Sequence, residues 1–255
     1  MSLTDELLKS IPDGQVNKVF IGLNWTAVSI QINGNLYCGL SSTLRKPHAH
    51  GEGQDVPTAG SLTQNSVHEL AEFCRSDQPT LASVGCAALN AALQAALQSY
   101  PLPYTEQNAE EIIACFGRGK RVAVVGHFPF TERVRQLALH LDVLENEPKS
   151  GDLPAQLAPE VLPHADVVAL TGMTFVNHTL EPLLRQCSPG ARVIVLGAST
   201  PLSAILFDYG VDYLCGALSK DVQAVLTRVA EGATYPQISK AGLKLVTIQK
   251  ARNNE

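Results

Sequence analysis

Four short segments of this 255-residue chain carry side chains able to do chemistry, and each follows a short apolar run. The first is Gly126-His127-Phe128-Pro129, where His127 suits a ligand, an acid/base group or a histidine packed into a core. The second begins at Glu145 and runs through Pro148 to Gly151 and Asp152. With His127, these two carboxylates would be hard or borderline donors to a metal ion, or proton-transfer groups. The third, Thr171-Gly172-Met173-Thr174 and on to Asn177, and the fourth, Gly197-Ala198-Ser199-Thr200-Pro201, are small and rich in hydroxyls. Their Thr171, Thr174, Ser199 and Thr200 read either as helix N-caps or, with the backbone N–H groups of a helix start, as a cradle for an anion.

Several familiar chemistries are disfavoured. Glu145 lies 19 residues after Gly126, close to where the acidic residue of a dinucleotide fold meets a ribose. The turn after the strand is nevertheless G-H-F-P-F and not G-x-G-x-x-G. Phe128 and Pro129 occupy the space of a pyrophosphate, and Pro129 offers no backbone donor, which speaks against a conventional NAD site. A P-loop and a G-x-S-x-G nucleophile elbow are both absent from the sequence. His48 and His50, in PHAHG, could reach a metal from a loop. With no Cys/His cluster beside them, a solvated loop is the better reading. Asn24-Trp25-Thr26 holds the only tryptophan, as core packing or as the edge of a site.

The elements that must position these residues follow from the apolar pattern. Thr4 is a candidate N-cap for a helix through about Ile11. Strands are expected over Lys18–Leu23, Thr26–Ile32 and Asn35–Gly39, with Asn33-Gly34 as a hairpin signal, so the chain opens as an antiparallel meander. Ser41 to Gly60 reads as a long loop, and Ser66–Arg75 as a helix begun by a Ser66/Glu69 capping box. Thr80–Ser99 has helical apolar spacing, with many Ala positions that require close packing. Pro101-Leu102-Pro103-Tyr104 divides the chain into expected domains 1–105 and 106–255.

Asn108–Phe116 reads as a short connecting helix. Strands are then expected at Val122–Val125, Leu141–Leu144, Val167–Leu170, Val193–Leu196 and Tyr213–Cys215. Between them lie helical segments near Thr131–His140, Pro154–Leu162, Val176–Arg185, Leu202–Phe207 and Lys220–Ala230. That alternation implies right-handed βαβ crossovers and a parallel sheet. The four chemistry-bearing turns then fall along one sheet edge and can converge on one ligand. Leu243–Ile248 could add an edge strand to either domain. The fold class is thus α/β, a small α+β domain followed by a parallel α/β domain.

Composition narrows the partners. A net charge of −5 argues against nucleic acid. No apolar run approaches a bilayer span, and the acidic, amphipathic N-terminus lacks a signal peptide's regions, so no membrane association and a cytoplasmic location are expected. Six scattered cysteines without a CxxC pair suit buried small side chains rather than disulfides or a zinc site.

The phrases IGLNWTAV, NLYCGLSST, SVGCAALNA, VAVVGHFPF, ENEPKSGDLP, LPHADVVALTGMTFVNHTL and VIVLGASTPLS resemble the heavy-metal chelation family over nearly the whole chain. The resemblance implies a domain similar to the enolase N-terminal domain, then a Rossmann-like domain, with a site in the cleft between them. Carried over residue by residue, that site would include Asn24, Thr26, Asn90, Gly126, His127, Pro129, Glu145, Pro148, Gly151, Asp152, Thr171, Gly172, Thr174, Asn177, Gly197, Ser199, Thr200 and Pro201. The expected function is binding of a small anionic or metal-chelating ligand between the domains, with a metal ion or its chelate as the bound species. The rival is an enzyme, such as a transferase, using a nucleotide-like cofactor. Metal-dependent stabilisation would separate the first from the second. Homo-oligomerisation is left open.

Overall fold

The computed structural model describes residues 1–46 and 55–251. The first helix, Leu3–Ser10, starts two residues earlier than Thr4 would cap it. Ser2 is the cap: its hydroxyl accepts from the Asp5 N–H (3.2 Å), and the Asp5 carboxylate accepts from the Ser2 N–H (2.9 Å). That reciprocal pair satisfies donors a lone Thr4 would leave open.

Strands β1 (Gln15–Ile21), β2 (Trp25–Ile32) and β3 (Asn35–Ser42) form a three-stranded antiparallel sheet in sequence order. Asn33 and Gly34 link β2 to β3 with φ of 50° and 79°, the left-handed pair that a two-residue hairpin turn needs.

The second sheet has eight strands. They are β4 (Tyr104–Thr105), β5 (Arg121–Val125), β6 (His140–Glu145), β7 (Leu153–Pro154), β8 (Val167–Thr171), β9 (Arg192–Leu196), β10 (Tyr213–Ser219) and β11 (Leu243–Gln249). Their order is β4-β11-β10-β9-β8-β5-β6-β7. From β7 to β10 all pairs are parallel, and β11 closes on β10 antiparallel. The sheet grows from β5 through β6 to β7, then resumes on the other side of β5 with β8. Ligands favour the strand ends at such a reversal. The apolar runs at β5, β8 and β9 are buried on both faces, as central parallel strands must be.

Local departures from the expected spans have local causes. The helix after β5 stops at Leu137, and His140 already pairs with Arg121 in the sheet. The expected 176–185 helix is two pieces, Met173–Val176 and Leu180–Leu184, parted at His178 with φ of 64°. The fifth parallel strand reaches Ser219 because β11 supplies ladder partners along its full length.

The two sheets are joined by the Pro79–Ser99 helix. By length and composition it is the one described helix that would pass as a membrane span, which corrects the expectation that no segment approaches that size. It lies in the interior instead, with an alanine-rich face fully buried. It meets β3 backbone to backbone at Gly39, where a Cβ would stand 2.1 Å from the Ala87 carbonyl oxygen and 2.3 Å from the Ala91 nitrogen. One cluster of buried apolar residues runs without a break from the small sheet through this helix to β8 and β9.

Because backbone and not a movable side chain meets that Cβ, Gly39→Ala is expected to lower stability by at least about 2 kcal/mol. Urea denaturation checks this; an unchanged midpoint would mean helix and strand part without cost.

Candidate functional site

Strands β5, β8 and β9 each run into a glycine. Gly126 and Gly197 adopt φ of 106° and 110°, values that side-chain-bearing residues rarely hold, so the chain turns sharply at the sheet edge. Gly172 lets the third turn seat on the fourth, since a Cβ there would lie 2.5 Å from the Thr200 nitrogen. Over these strand ends lies a cavity of about 650 Å³, within the range of small-molecule sites. Its other walls are Trp25 and Ser42 from the small sheet, Tyr235, the 107–110 segment and Leu245–Thr247 of β11.

The cavity is a seam between two hydrophobic clusters. Phe128 and Phe130 pack on one, and Trp25 and Tyr235 on the other. The phenylalanine rings are stacked, 5.1 Å apart and 9° from parallel. Trp25 and Tyr235 are 5.6 Å apart and tilted by 40°. Desolvation raises the Tyr235 hydroxyl above its ordinary pKa, so at neutral pH the ring is an uncharged wall. Among the described residues, ionisable lining apart from the Cys215 thiol and Tyr235 is confined to Glu110, His127 and Arg133. Arg133 is already paired with Glu110 at 2.7 Å.

His127 is held from behind. Its Nδ1 lies 3.2 Å from Asp152 Oδ2, and the Asp152 side chain is only 3% exposed. The same oxygen accepts from the Lys149 N–H at 3.1 Å. An ionised carboxylate only accepts, so this contact fixes the proton on Nδ1 and leaves Nε2 as the ring's open position.

Of the expected site residues, His127, Pro129, Thr171, Gly172, Gly197 and Ser199 line the cavity. Gly126 forms the turn beneath it, and Asp152 stands behind His127. The remainder serve the frame. Asn24 donates to the Gly232 and Ala233 carbonyls. Thr26 is buried against Thr43, with hydroxyl oxygens 2.9 Å apart. Thr174 is buried and donates to the Thr171 carbonyl, and Asn177 accepts from Thr179. Asn90 bridges the sheets, donating to Leu40 O at 2.9 Å and Ser199 O at 3.3 Å.

Glu145 ends β6 but does not line the cavity, and its carboxylate accepts from the Asn146 N–H. The cavity opens from β5 towards β10, on the far side of the reversal from β6. Consequently His127, Glu145 and Asp152 do not form a metal cage: among the described residues no three His, Cys, Asp or Glu side chains converge. His48 and His50 lie outside the described residues.

The expected anion cradle is also reduced. The Gly172 N–H donates to Leu196 O, the Thr200 N–H to Gly197 O, and Ser199 Oγ accepts from the Ser42 N–H. Thr200 Oγ1 is buried away from the cavity lining and has no partner among the described residues. Met173–Val176 is moreover a single turn of helix. What remains is the Gly197–Thr200 turn, where the Ala198 and Ser199 N–H groups have no hydrogen bond among the described residues and both residues line the cavity.

Reading from sequence missed Phe130, Arg133, Tyr235 and the β11 residues. Tyr235 opens a helix, Tyr235–Gly242, whose signal was present as a Thr234/Gln237 capping box with Pro236 in the first turn.

Two family models, both described as "Putative heavy-metal chelation", match residues 4–93 and 109–248. A crystal structure of a protein of unknown function from Desulfitobacterium hafniense DCB-2, assigned to the family of the second model, aligns with a TM-score of 0.80. It is 30% identical, over 97% of this chain and 98% of that one. A Pyrococcus horikoshii protein of unknown function from that family has the same TM-score and coverage at 17% identity. An uncharacterized Methanocaldococcus jannaschii protein is 24% identical over 221 residues, 84% of this chain and 82% of that one.

Heavy metals favour thiolates, but burial holds five of the six cysteines towards the protonated form. Desolvation pushes Cys38 and Cys74 up to about 12, and Cys187 and Cys215 up to about 11, while Cys86 is raised well above its ordinary value. Cys115 alone of the six is exposed. Iodoacetamide on the native protein at neutral pH is therefore expected to label Cys115 first, at least about tenfold faster than the others, because the thiolate is the reactive form. Mass spectrometry of Cys115→Ser checks this; fast labelling of Cys215 in that variant would show a reactive thiol in the cavity.

Proposed function

The chain belongs to the heavy-metal chelation family matched by both models, and from that premise we propose that its cleft holds a metal as a complex with a flat organic chelator rather than as a bare ion. One observation carries the reading: the cavity has aromatic walls, while no three-donor group converges among the described residues. A protein that binds a bare transition or heavy-metal ion supplies three or four nitrogen, sulfur or carboxylate donors. A chelator brings those donors itself, and the protein then has to recognise the organic body. Here Phe128 and Phe130 from one cluster and Trp25 and Tyr235 from the other line the cavity, and each aromatic contact with a flat ligand is worth about 0.5–1.5 kcal/mol beyond its burial. A cationic complex gains further from those faces. The Ala198 and Ser199 amides suit an acceptor group of the ligand. The rival nucleotide reading lacks comparable support, because the first turn is filled by Phe128 and Pro129.

Trp25 is the only tryptophan and lines the cavity, so its emission reports the site directly. Zinc(II)–terpyridine, a flat complex, is expected to perturb Trp25 emission at micromolar concentration, whereas zinc(II) alone and ATP at equal concentration leave it unchanged. Tyr235→Ala should weaken the complex about tenfold, the equivalent of about 1.4 kcal/mol. Glu145→Ala should bind as the unaltered protein does. Tight binding of bare zinc(II), or of ATP in place of the complex, would sink the reading.

A further inference from the structure

Among the described residues His127 is the one imidazole lining the cavity, and its geometry is that of a prepared ligand. His127 lines the cavity, its Nδ1 faces the buried Asp152 carboxylate at 3.2 Å, and Nε2 has no partner among the described residues. A carboxylate hydrogen-bonded to one imidazole nitrogen fixes the ring and raises the donor strength of the other, the arrangement that supports metal-bound histidines. Asp152 is itself anchored by the Lys149 N–H, and the Asp152 N–H donates back to Lys149 O at 2.9 Å. The 149–152 turn thus holds the carboxylate in place.

The chain offers an internal comparison. His140 and Asp142 form a similar pair at 2.9 Å, but at the opposite end of the sheet and outside the cavity. Pairing with a carboxylate is therefore not peculiar to His127. Its position on the aromatic-lined cavity is.

We infer that His127 Nε2 is the protein's one donor to the bound metal complex, occupying a coordination position that the chelator leaves open, and that Asp152 is its positioning residue. The inference rests on the chelate reading above. The step is a ligand substitution: the Nε2 lone pair forms a bond to the metal, a water leaves that position, and neither metal charge nor oxidation state changes. It explains how a cleft without a cage would prefer a metal-loaded chelator over the empty one. The empty chelator meets only the ring faces and turn amides; the loaded one gains a coordinate bond as well.

Copper(II)–terpyridine, which leaves one equatorial position open, is the probe. With the full chain, its electron paramagnetic resonance spectrum should gain superhyperfine coupling from one further nitrogen, together with quenching of Trp25. His127→Ala should lose that coupling and weaken the complex at least tenfold, while metal-free terpyridine binds it as it binds the unaltered protein. Should the alanine variant fold poorly, His127→Gln keeps the volume and removes the donor. Asp152→Asn should keep the extra coupling but weaken the complex about tenfold, as loss of a supporting carboxylate does. His140→Ala should change nothing. If the complex quenches Trp25 without new nitrogen coupling, or binds His127→Ala equally, the His127 assignment fails and the chelate reading survives. If the coupling vanishes in His140→Ala instead, the donor is a surface histidine and the assignment fails. If Trp25 is unaffected by the complex, both fall together.

Discussion

The close contact between the Pro79–Ser99 helix and strand β3 is the constraint on which the rest of the structure depends. Gly39 admits the helix backbone to a distance no side chain tolerates, and the buried alanines around it keep the surface flat. At that spacing one Asn90 amide reaches the Leu40 carbonyl of β3 and the Ser199 carbonyl of the turn after β9. Gln94, one turn on, exchanges two hydrogen bonds with the Ser219 backbone of β10. Each neutral bond is worth only about 1 kcal/mol net, but leaving a buried carbonyl without its partner costs about 1–3 kcal/mol. Sliding the sheets apart would break several such bonds at once. Cleft width is therefore set in the frame and not at the ligand.

A rigid frame explains how an apolar cavity stays open. Its two aromatic walls belong to separate hydrophobic clusters, one under Phe128 and Phe130 and one under Trp25 and Tyr235. For the walls to meet, the small sheet would have to move on the large one, against Asn90 and the Ser42–Ser199 contact. The polar groups that remain inside are few, and most are already bonded. Low local dielectric then strengthens whatever contacts a ligand makes with His127 or the 197–200 turn.

The fold was legible because its signals are local. Val122–Val125 can only be a strand buried on both faces, Asn33-Gly34 can only be a tight turn, and the alternation after residue 120 forces parallel crossovers. The candidate cavity was legible in part for the same reason: parallel strands put their turns on one edge, which brings His127, Thr171, Gly172, Gly197 and Ser199 to its lining. Which side of that edge opens is a tertiary fact. Glu145 sits at a strand end like the others, but beyond β5, so the same rule that found Ser199 misplaced it. Tyr235 and Leu245 reach the cavity only because β11 folds back antiparallel on β10. Asn90 and Thr26 matched a resemblance to site residues, but their hydrogen bonds hold elements together instead.

That division bears on what the cleft can select. A cage of several protein donors discriminates among metals by coordination number and geometry, and each donor must be held by its own supports. Among the described residues, His127 is the one metal donor lining the cavity with such a support, Asp152. Burial raises five of the six thiols, and Cys215, though it lines the cavity, is pushed up to about 11. On the chelate reading, shape therefore selects the organic body, through ring faces held by two clusters. The single imidazole selects for a metal with a position still open. A fully coordinated complex would meet the same walls but gain nothing from His127. The cleft would favour complexes caught between loading and saturation, a preference that no set of side-chain donors enclosing a bare ion would produce.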